Sequence, residues 1–391
     1  MELVDVPVYV DDGERSLELF CIQYLSGTRE RGLIPEALQH PAVVVQRTRM
    51  PAAPVPGVRP VSRVEQQFRV IQQTSASGFL CGYKGSEVKG VCDVPVDPAP
   101  AAPMSADDVE GYVRGLLSSD GRLSGQYAGD VEGTLFTECP IGWNLSKLDT
   151  AYQRAAAVRP AIDVEGLNGY LYFGEAFTGS PIHTEDGDLF SVNYLHAGAA
   201  KIWYFVAATD LLKTMACISE ACRGTDYADS VRCPAFLRHK QFTCNARWLL
   251  DQGVQVYRII QRPGDYVIVK PGVAHWVFNC GDNRAEAVNF ALPNHYQMIA
   301  PVTINGVARY RYLTCRSGYN PKWQEHFRNR CLNGEDARVV MIARDVFRSI
   351  SQMRYCRREP HRPGKQATAN AKKKRGTLFT HVKSVKRQHL V

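Results

Sequence analysis

The segment "PIHTEDGDLF", residues 181–190, sets a histidine, a glutamate and two aspartates shortly downstream of an aromatic run, "YLYFG". His183 and Glu185 are two residues apart, so in an extended chain both side chains project from one face. A histidine and a carboxylate aimed the same way supply two thirds of the two-histidine, one-carboxylate set that leaves three adjacent positions open on a non-haem Fe(II) ion. The third ligand must come from another strand. His275 is the best-placed candidate: "YVIVKPGVAHWVF" reads as a strand, a Pro-Gly turn and a second strand with His275 at its head. The competing reading of His183-Thr184-Glu185 is a polar corner at a strand end. In "SVNYLHAGAAKIWYFV", Asn193 lies on one strand, and Lys201 and Trp203 share a face of the next. A lysine buried beside a tryptophan is costly unless an anion pairs with it. The alternative is that Lys201 snorkels to solvent at the strand end.

Such a site needs a sheet-rich scaffold. From Tyr127 to about Pro293 the sequence is mostly short β-prone runs broken by Gly, Asn and Asp, which predicts a double-sheet barrel. Upstream, "VDVPVYV" reads as a short β piece, followed by a helix starting at Asp11-Asp12 and running through "LELFCIQYL" to an exit at "RGLIPE". Residues 41–68, rich in Pro, Val and Arg, read as a connecting loop; "VEQQFRVIQQ" and "GFLCGYKG" read as strands. "DVPVDPAPAAPMS" has the composition of a linker. It leads into a helix capped by Ser105, with Asp108 three residues on. Residues 320–355 look helical, and the last 35 too polar and basic to form a core.

The bulk properties frame this. A chain of 391 residues with 45% hydrophobic content can bury a sizeable core. The N-terminus lacks a basic segment followed by an apolar one, and no 18-residue apolar run occurs, so neither a signal peptide nor a membrane span is expected. The twelve cysteines are scattered, which suits reduced thiols, with a metal site open to a few. The net charge of +8 is concentrated at one end: from Arg354 onward there are twelve Lys or Arg against one acid.

Taken together, the motifs resemble the JmjC histone lysine demethylases, specifically the trimethyl-lysine subfamily that pairs this domain with a JmjN domain. "VPVYVDD", "LELFCIQYL" and "RGLIPE" resemble JmjN. "QYAGDVEGTLF", "VEGLNGYLYFG", "HTEDGDLFSVNYLHAGAAKIWY", "CPAFLRHK" and "PGVAHWVFNCGDNRAEAVNFA" follow in JmjC order. The resemblance implies a mainly β fold with flanking helices, a jelly-roll-like double-stranded β-helix. It implies a JmjN domain at 4–40, a mixed connecting region at 41–125, the JmjC domain at 126–295, a helical, zinc-associated region at 296–355 and a disordered basic tail at 356–391. It also implies Fe(II)- and 2-oxoglutarate-dependent demethylation of tri- or dimethyl-lysine on histone H3, with release of formaldehyde and succinate. His183, Glu185 and His275 would be the iron ligands. Tyr127 and Lys201 would hold the far carboxylate of 2-oxoglutarate, with Asn193 beside it and Trp203 as a wall. Gly166, Tyr172, Glu185 and Asn289 would line the methylammonium cage, and Lys240 would stand near the oxygen and substrate channel.

Three positions depart from the family pattern. Ser180 stands where an aromatic residue stacks on the cosubstrate, which would loosen binding by ~1 kcal/mol. Ala287 and Val288 replace a Ser-Thr pair of the cage. The family's three-cysteine, one-histidine zinc site is matched at Cys233 and His239, with only Cys331 in its second half and Cys315 upstream as a fourth ligand. Either Cys315 completes the tetrahedron or Cys233 is simply a buried thiol. The run "KKKR" at 372–375 suits a nuclear localisation signal and contact with nucleic-acid phosphates, or a solvated tail with no partner. The implied partners are the histone H3 tail and the nucleosome, in the nucleus and away from membranes. The alternative functions are a JmjC protein hydroxylase, which turns on the cage residues, and a chromatin-binding scaffold without turnover.

Overall fold

The computed structural model describes residues 1–26, 34–49, 51–74, 78–98, 126–137, 142–153, 169–176, 178–185, 188–232 and 236–292, with a short ribbon at 302–304 and 307–309 and single positions at 108, 111 and 115. In chain order the strands are β1 (Val4–Asp5), β2 (Val8–Asp11), β3 (Ala42–Arg47), β4 (Val58–Gln73), β5 (Phe79–Pro95), β6 (Gln126–Glu132), β7 (Tyr170–Gly174), β8 (Gly179–His183), β9 (Phe190–Gly198), β10 (Lys201–Val206), β11 (Phe242–Cys244), β12 (Val256–Gln261), β13 (Asp265–Val269), β14 (Ala274–Asn279) and β15 (Asn283–Phe290). Helices α1 (Leu17–Tyr24), α2 (Leu211–Ala221) and α3 (Ala246–Asp251) lie between them. A five-stranded sheet runs β1-β12-β10-β14-β8, and a ten-stranded sheet runs β11-β5-β4-β6-β7-β15-β9-β13-β3-β2. The fold is the expected mainly β, jelly-roll-like double sheet with flanking helices. No helix among the described residues is long and apolar enough to cross a membrane.

The core explains the strand sequences. Ala42, Val44, Val267 and Val269 of the large sheet pack against Trp203, Phe205, Ile259 and Val277 of the small one. Val43, Val45, Tyr266 and Ile268 point the other way, into a second cluster built on Leu17, Phe20 and Cys21 of α1 together with Trp143. Strands β3 and β13 are thus buried on both faces, which is why "AVVV" and "YVIV" are continuous apolar runs rather than alternating ones. Each such side chain contributes roughly 1.5–3 kcal/mol of burial.

Several sequence expectations are corrected here. The loop expected across 41–68 contains β3 and the start of β4; three of its prolines, at 51, 54 and 56, lie between the two strands, while Pro60 lies within β4 near its start. The helix does not start at Asp11-Asp12. Asp11 ends β2 and pairs with the buried Arg47, while Ser16 caps α1 by accepting a bond from the Leu19 N–H at 3.4 Å. Asp93–Pro95, read as linker, finishes β5, and Val94 and Val96 are buried in a third cluster with Val61 and Leu171. Helices α2 and α3 were not foreseen inside the β-rich span. The expected cap at Ser105, the helix at 320–355 and the basic tail lie outside the described residues.

Strand β8, an edge of the small sheet, is fixed in two ways. The Gln66 side chain, reaching from β4, donates to the Gly179 carbonyl at 2.9 Å and accepts from the Gly179 N–H at 3.0 Å, replacing a missing strand neighbour. Gly179 itself must lack a side chain, because a Cβ there would sit 1.8 Å from the Val277 carbonyl oxygen of β14. Gly179→Ala is therefore expected to push β8 off β14 and to cost more than about 2 kcal/mol of stability. Thermal unfolding read alongside a Mn(II) titration checks this, since both should weaken together.

Candidate metal centre

Strands β8 and β14 run antiparallel, with His183 directly opposite His275. Next along, Ser180 faces Val277, so three residues of β8 span what two residues of β14 span, and the ladder bulges at Pro181-Ile182. Proline suits that place because it has no N–H to give to the ladder. The bulge has a functional consequence. Ser180 and His183, three apart, would face opposite ways on a regular strand, yet both line one cavity.

The His183 and His275 rings lie 4.2 Å apart between centroids. The His275 Nε2 is 3.3 Å and the His183 Nε2 is 4.0 Å from Glu185 Oε1. Ligand atoms of all three residues fall within 4.8 Å of one another, and no other such group of His, Cys, Asp or Glu occurs among the described residues. The second ring nitrogens fix the tautomers. His183 Nδ1 lies 2.7 Å from the Pro181 carbonyl, and His275 Nδ1 lies 3.1 Å from the Val273 carbonyl. A carbonyl can only accept, so each Nδ1 carries a proton and each Nε2 faces the shared centre as the ligand atom. Burial, then the charges of His275 and Lys240, hold His183 well below the usual imidazole range, in its neutral, metal-binding form. For Glu185 burial acts upward, but the His275 hydrogen bond and the charges of His275, His183 and Lys240 outweigh it and leave a carboxylate. The donor set therefore fits a divalent iron ion with three protein ligands on one face.

Glu185 lies past the end of β8, and β15 holds it: Asn289 Nδ2 donates to Glu185 Oε2 at 3.0 Å. Asn289→Ala should leave the fold intact and weaken metal binding by about 10- to 100-fold, the usual cost of losing a ligand's support. A Mn(II) titration by tryptophan fluorescence measures it.

The cavity around these residues holds about 620 Å³. Every described residue singled out from the sequence lines it: Tyr127, Tyr172, Asn193, Lys201, Trp203, His239, Lys240 and Asn289 join the three metal-ligand candidates. Ser180, Ala287 and Val288 line it too. Gly166, Cys233, Cys315 and Cys331 lie outside the described residues, so His239 is the one member of the expected zinc set that is placed. Lys201 does not snorkel. It is 4% exposed, and its Nζ donates to Asn279 Oδ1 at 2.7 Å. Burial lowers its pKa to about 7. Tyr127 is raised by burial, partly offset by a hydrogen bond with Ser180, so it stays a neutral phenol. At the cavity mouth the exposed Asp130 accepts from the Tyr172 hydroxyl at 2.9 Å, with Glu132 nearby on the same strand. Sequence reading did not find Gln66, Gln261 or Asn279. Gln261 accepts from Trp203 Nε1 at 2.8 Å and donates to Asn193 Oδ1 at 3.0 Å. These amides carry no local motif; only strand pairing brings them to the site.

Comparison with known proteins agrees with this geometry. Residues 170–290 match the JmjC domain family, described as a hydroxylase domain, and that range runs from the first residue of β7 to the last of β15. Lysine-specific demethylase 4D of Rattus norvegicus is 38% identical over 186 residues, 47% of this chain and 36% of that protein. Probable lysine-specific demethylase 4F of Homo sapiens is 37% identical over 186 residues, 47% of this chain and 28% of that protein. Lysine-specific demethylase 4B of Mus musculus is 36% identical over 166 residues, 42% of this chain and 15% of that protein. The matched part thus spans about a third or less of each of these relatives. Residues 170–290 are thus similar to a JmjC domain, and over less than half of its length the chain is similar to lysine-specific demethylases.

Proposed function

We propose that this chain is an Fe(II)- and 2-oxoglutarate-dependent demethylase of methylated lysine on histone H3. The observation that carries the reading is a two-histidine, one-carboxylate set sharing a cavity with a fully buried lysine. Bound iron would supply the activation of dioxygen that couples oxidation of 2-oxoglutarate, to succinate and CO₂, to hydroxylation of an N-methyl group, which then leaves as formaldehyde.

The chain's own residues select and orient. Lys201 and the Tyr127 phenol pair with the far carboxylate of the cosubstrate, and Asn193 and Trp203, locked by Gln261, wall it in. The buried ammonium thereby gains the anion that offsets its desolvation. Tyr172, Glu185 and Asn289 face the methylammonium group. Both bonds from Asn289 Nδ2, to Glu185 and to the Phe190 carbonyl, are donated ones, so its amide oxygen is what a polarised methyl group meets. Asp130 and Glu132 at the mouth favour a basic peptide. On the same reading residues 4–40 are a JmjN domain, 126–295 the catalytic unit, and the basic tail a nuclear address with phosphate contacts. His239 belongs to a structural zinc site with Cys233, Cys331 and Cys315.

Mass spectrometry on mono-, di- and trimethyl histone H3 peptides tests this, with Fe(II), ascorbate and 2-oxoglutarate present and His183→Ala as control. Stepwise loss of methyl groups in the wild type alone is the expected result. A second reading, protein hydroxylation, is favoured by the apolar Ala287-Val288 wall where the family cage is polar; a gain of one oxygen on the peptide would select it. Succinate formed with no peptide change would also reject H3 demethylation.

A further inference from the structure

Among the described residues only three other than glycine adopt positive φ: Asp130 (54°), Asp188 (48°) and Lys240 (52°). Asp130 and Lys240 line the cavity. Asp188 does not, yet it is held in the same sparsely populated backbone region, which persists only where surrounding contacts enforce it. What enforces it is an ion pair: Arg238 Nη2 donates to Asp188 Oδ1 at 3.0 Å, with the two side chains 4% and 3% exposed.

The pair joins the short segment after Glu185 to the turn before Lys240. Asp188 is three residues after Glu185, and its N–H donates to the Glu185 carbonyl at 3.1 Å, so Asp188 fixes the backbone that presents the carboxylate. Arg238 sits in a single 3-10 turn, Phe236–His239. That turn closes when the Lys240 N–H donates to the Leu237 carbonyl at 3.0 Å, which sets Lys240 facing Glu185 and His183. No regular strand pairing connects these segments, since Glu185 lies past the end of β8 and the turn belongs to neither sheet.

We infer that Asp188 and Arg238 are positioning residues: their buried ion pair sets Glu185 relative to His183 and His275 and clamps the turn that presents Lys240. The inference rests on the metal-centre reading above but not on demethylation. Neither residue lines the cavity. Buried pairs of this kind add little to stability over apolar groups of similar size, so their directional geometry is the feature to test.

Removing one partner alone would strand a buried charge and threaten the fold. The deciding variant therefore combines Asp188→Asn with Arg238→Met. Asparagine tolerates positive φ, and methionine fills the arginine stem without charge. Three quantities are measured on the full chain: thermal midpoint, Mn(II) affinity by tryptophan fluorescence, and the visible spectrum of the Co(II) form. Expected are a thermal midpoint near that of the wild type, Mn(II) affinity at least tenfold weaker and an altered Co(II) spectrum, with Arg238→Lys recovering part of the loss. Wild-type affinity and an unchanged Co(II) spectrum in the double variant would overturn the inference. So would a loss of metal affinity that only tracks the thermal midpoint across the variants. If the wild type itself binds neither ion, the metal-centre reading fails first, a separate result.

Discussion

His183→Ala should abolish metal binding and turnover together while leaving the protein folded. His183 is 6% exposed, neutral, and contributes no bond to a neighbouring strand beyond its own backbone; its ring touches the Pro181 carbonyl and the His275 ring. Removing it leaves a two-ligand remnant from Glu185 and His275, too few to hold a divalent ion at micromolar concentration. The effect should exceed the ~100-fold typical of losing a supporting contact. The check pairs a Mn(II) titration with succinate and formaldehyde assays on the same preparation, and circular dichroism to show that the sheets persist. Metal affinity within a few-fold of the wild type would mean that the three residues do not form the centre.

Lys201→Met should stabilise the ligand-free protein and weaken its affinity for 2-oxoglutarate. Burial lowers the Lys201 pKa to about 7 in the folded state, against roughly 10.4 when unfolded. Between those values the unfolded chain binds more protons, so this group's contribution to stability improves as pH rises from 7 towards 10.4. Below 7 the folded state carries the full cost of a buried ammonium. Methionine removes the cost and, with it, that slope. Anion binding has the opposite sign: it needs the ammonium, so in the wild type affinity is level below pH 7 and falls above it as the free site loses its proton. Losing a charge-assisted hydrogen bond costs about 1.5–3 kcal/mol, or roughly 10- to 150-fold in affinity. Isothermal titration with 2-oxoglutarate from pH 6 to 9, together with urea unfolding over the same range, tests both signs. An affinity that rises with pH would exclude Lys201 as the anchor.

These two residues also show how the sequence and the tertiary structure divide the work. The sequence alone picked out the residues that share the cavity. Histidine and carboxylate two apart, a distant histidine after a Pro-Gly turn, and lysine beside tryptophan in an apolar strand are local patterns. Period-two alternation and ligand preferences can be read from such patterns without a fold. The same local logic misjudged 41–68, because prolines between two strands resemble a loop, and continuous valines buried on both faces lack the alternation that marks a strand. It placed the helix start at Asp11, whose charge is neutralised by Arg47, thirty-six residues away.

What only the tertiary structure decided is how the ligands are aimed and supported. Ser180 shares the cavity with His183 because β8 bulges at Pro181, which no spacing rule foretells. Lys201 stays buried because Asn279 meets it from the neighbouring strand. Glu185 is held by Asn289 from β15, and Gln66 reaches from β4 to finish the edge of β8. The physical reason is common to all four. Each depends on a contact made across strands or at an irregular strand edge, and the sequence encodes such contacts only through the whole packed sheet, whose register is fixed by burying one face and not by neighbours along the chain.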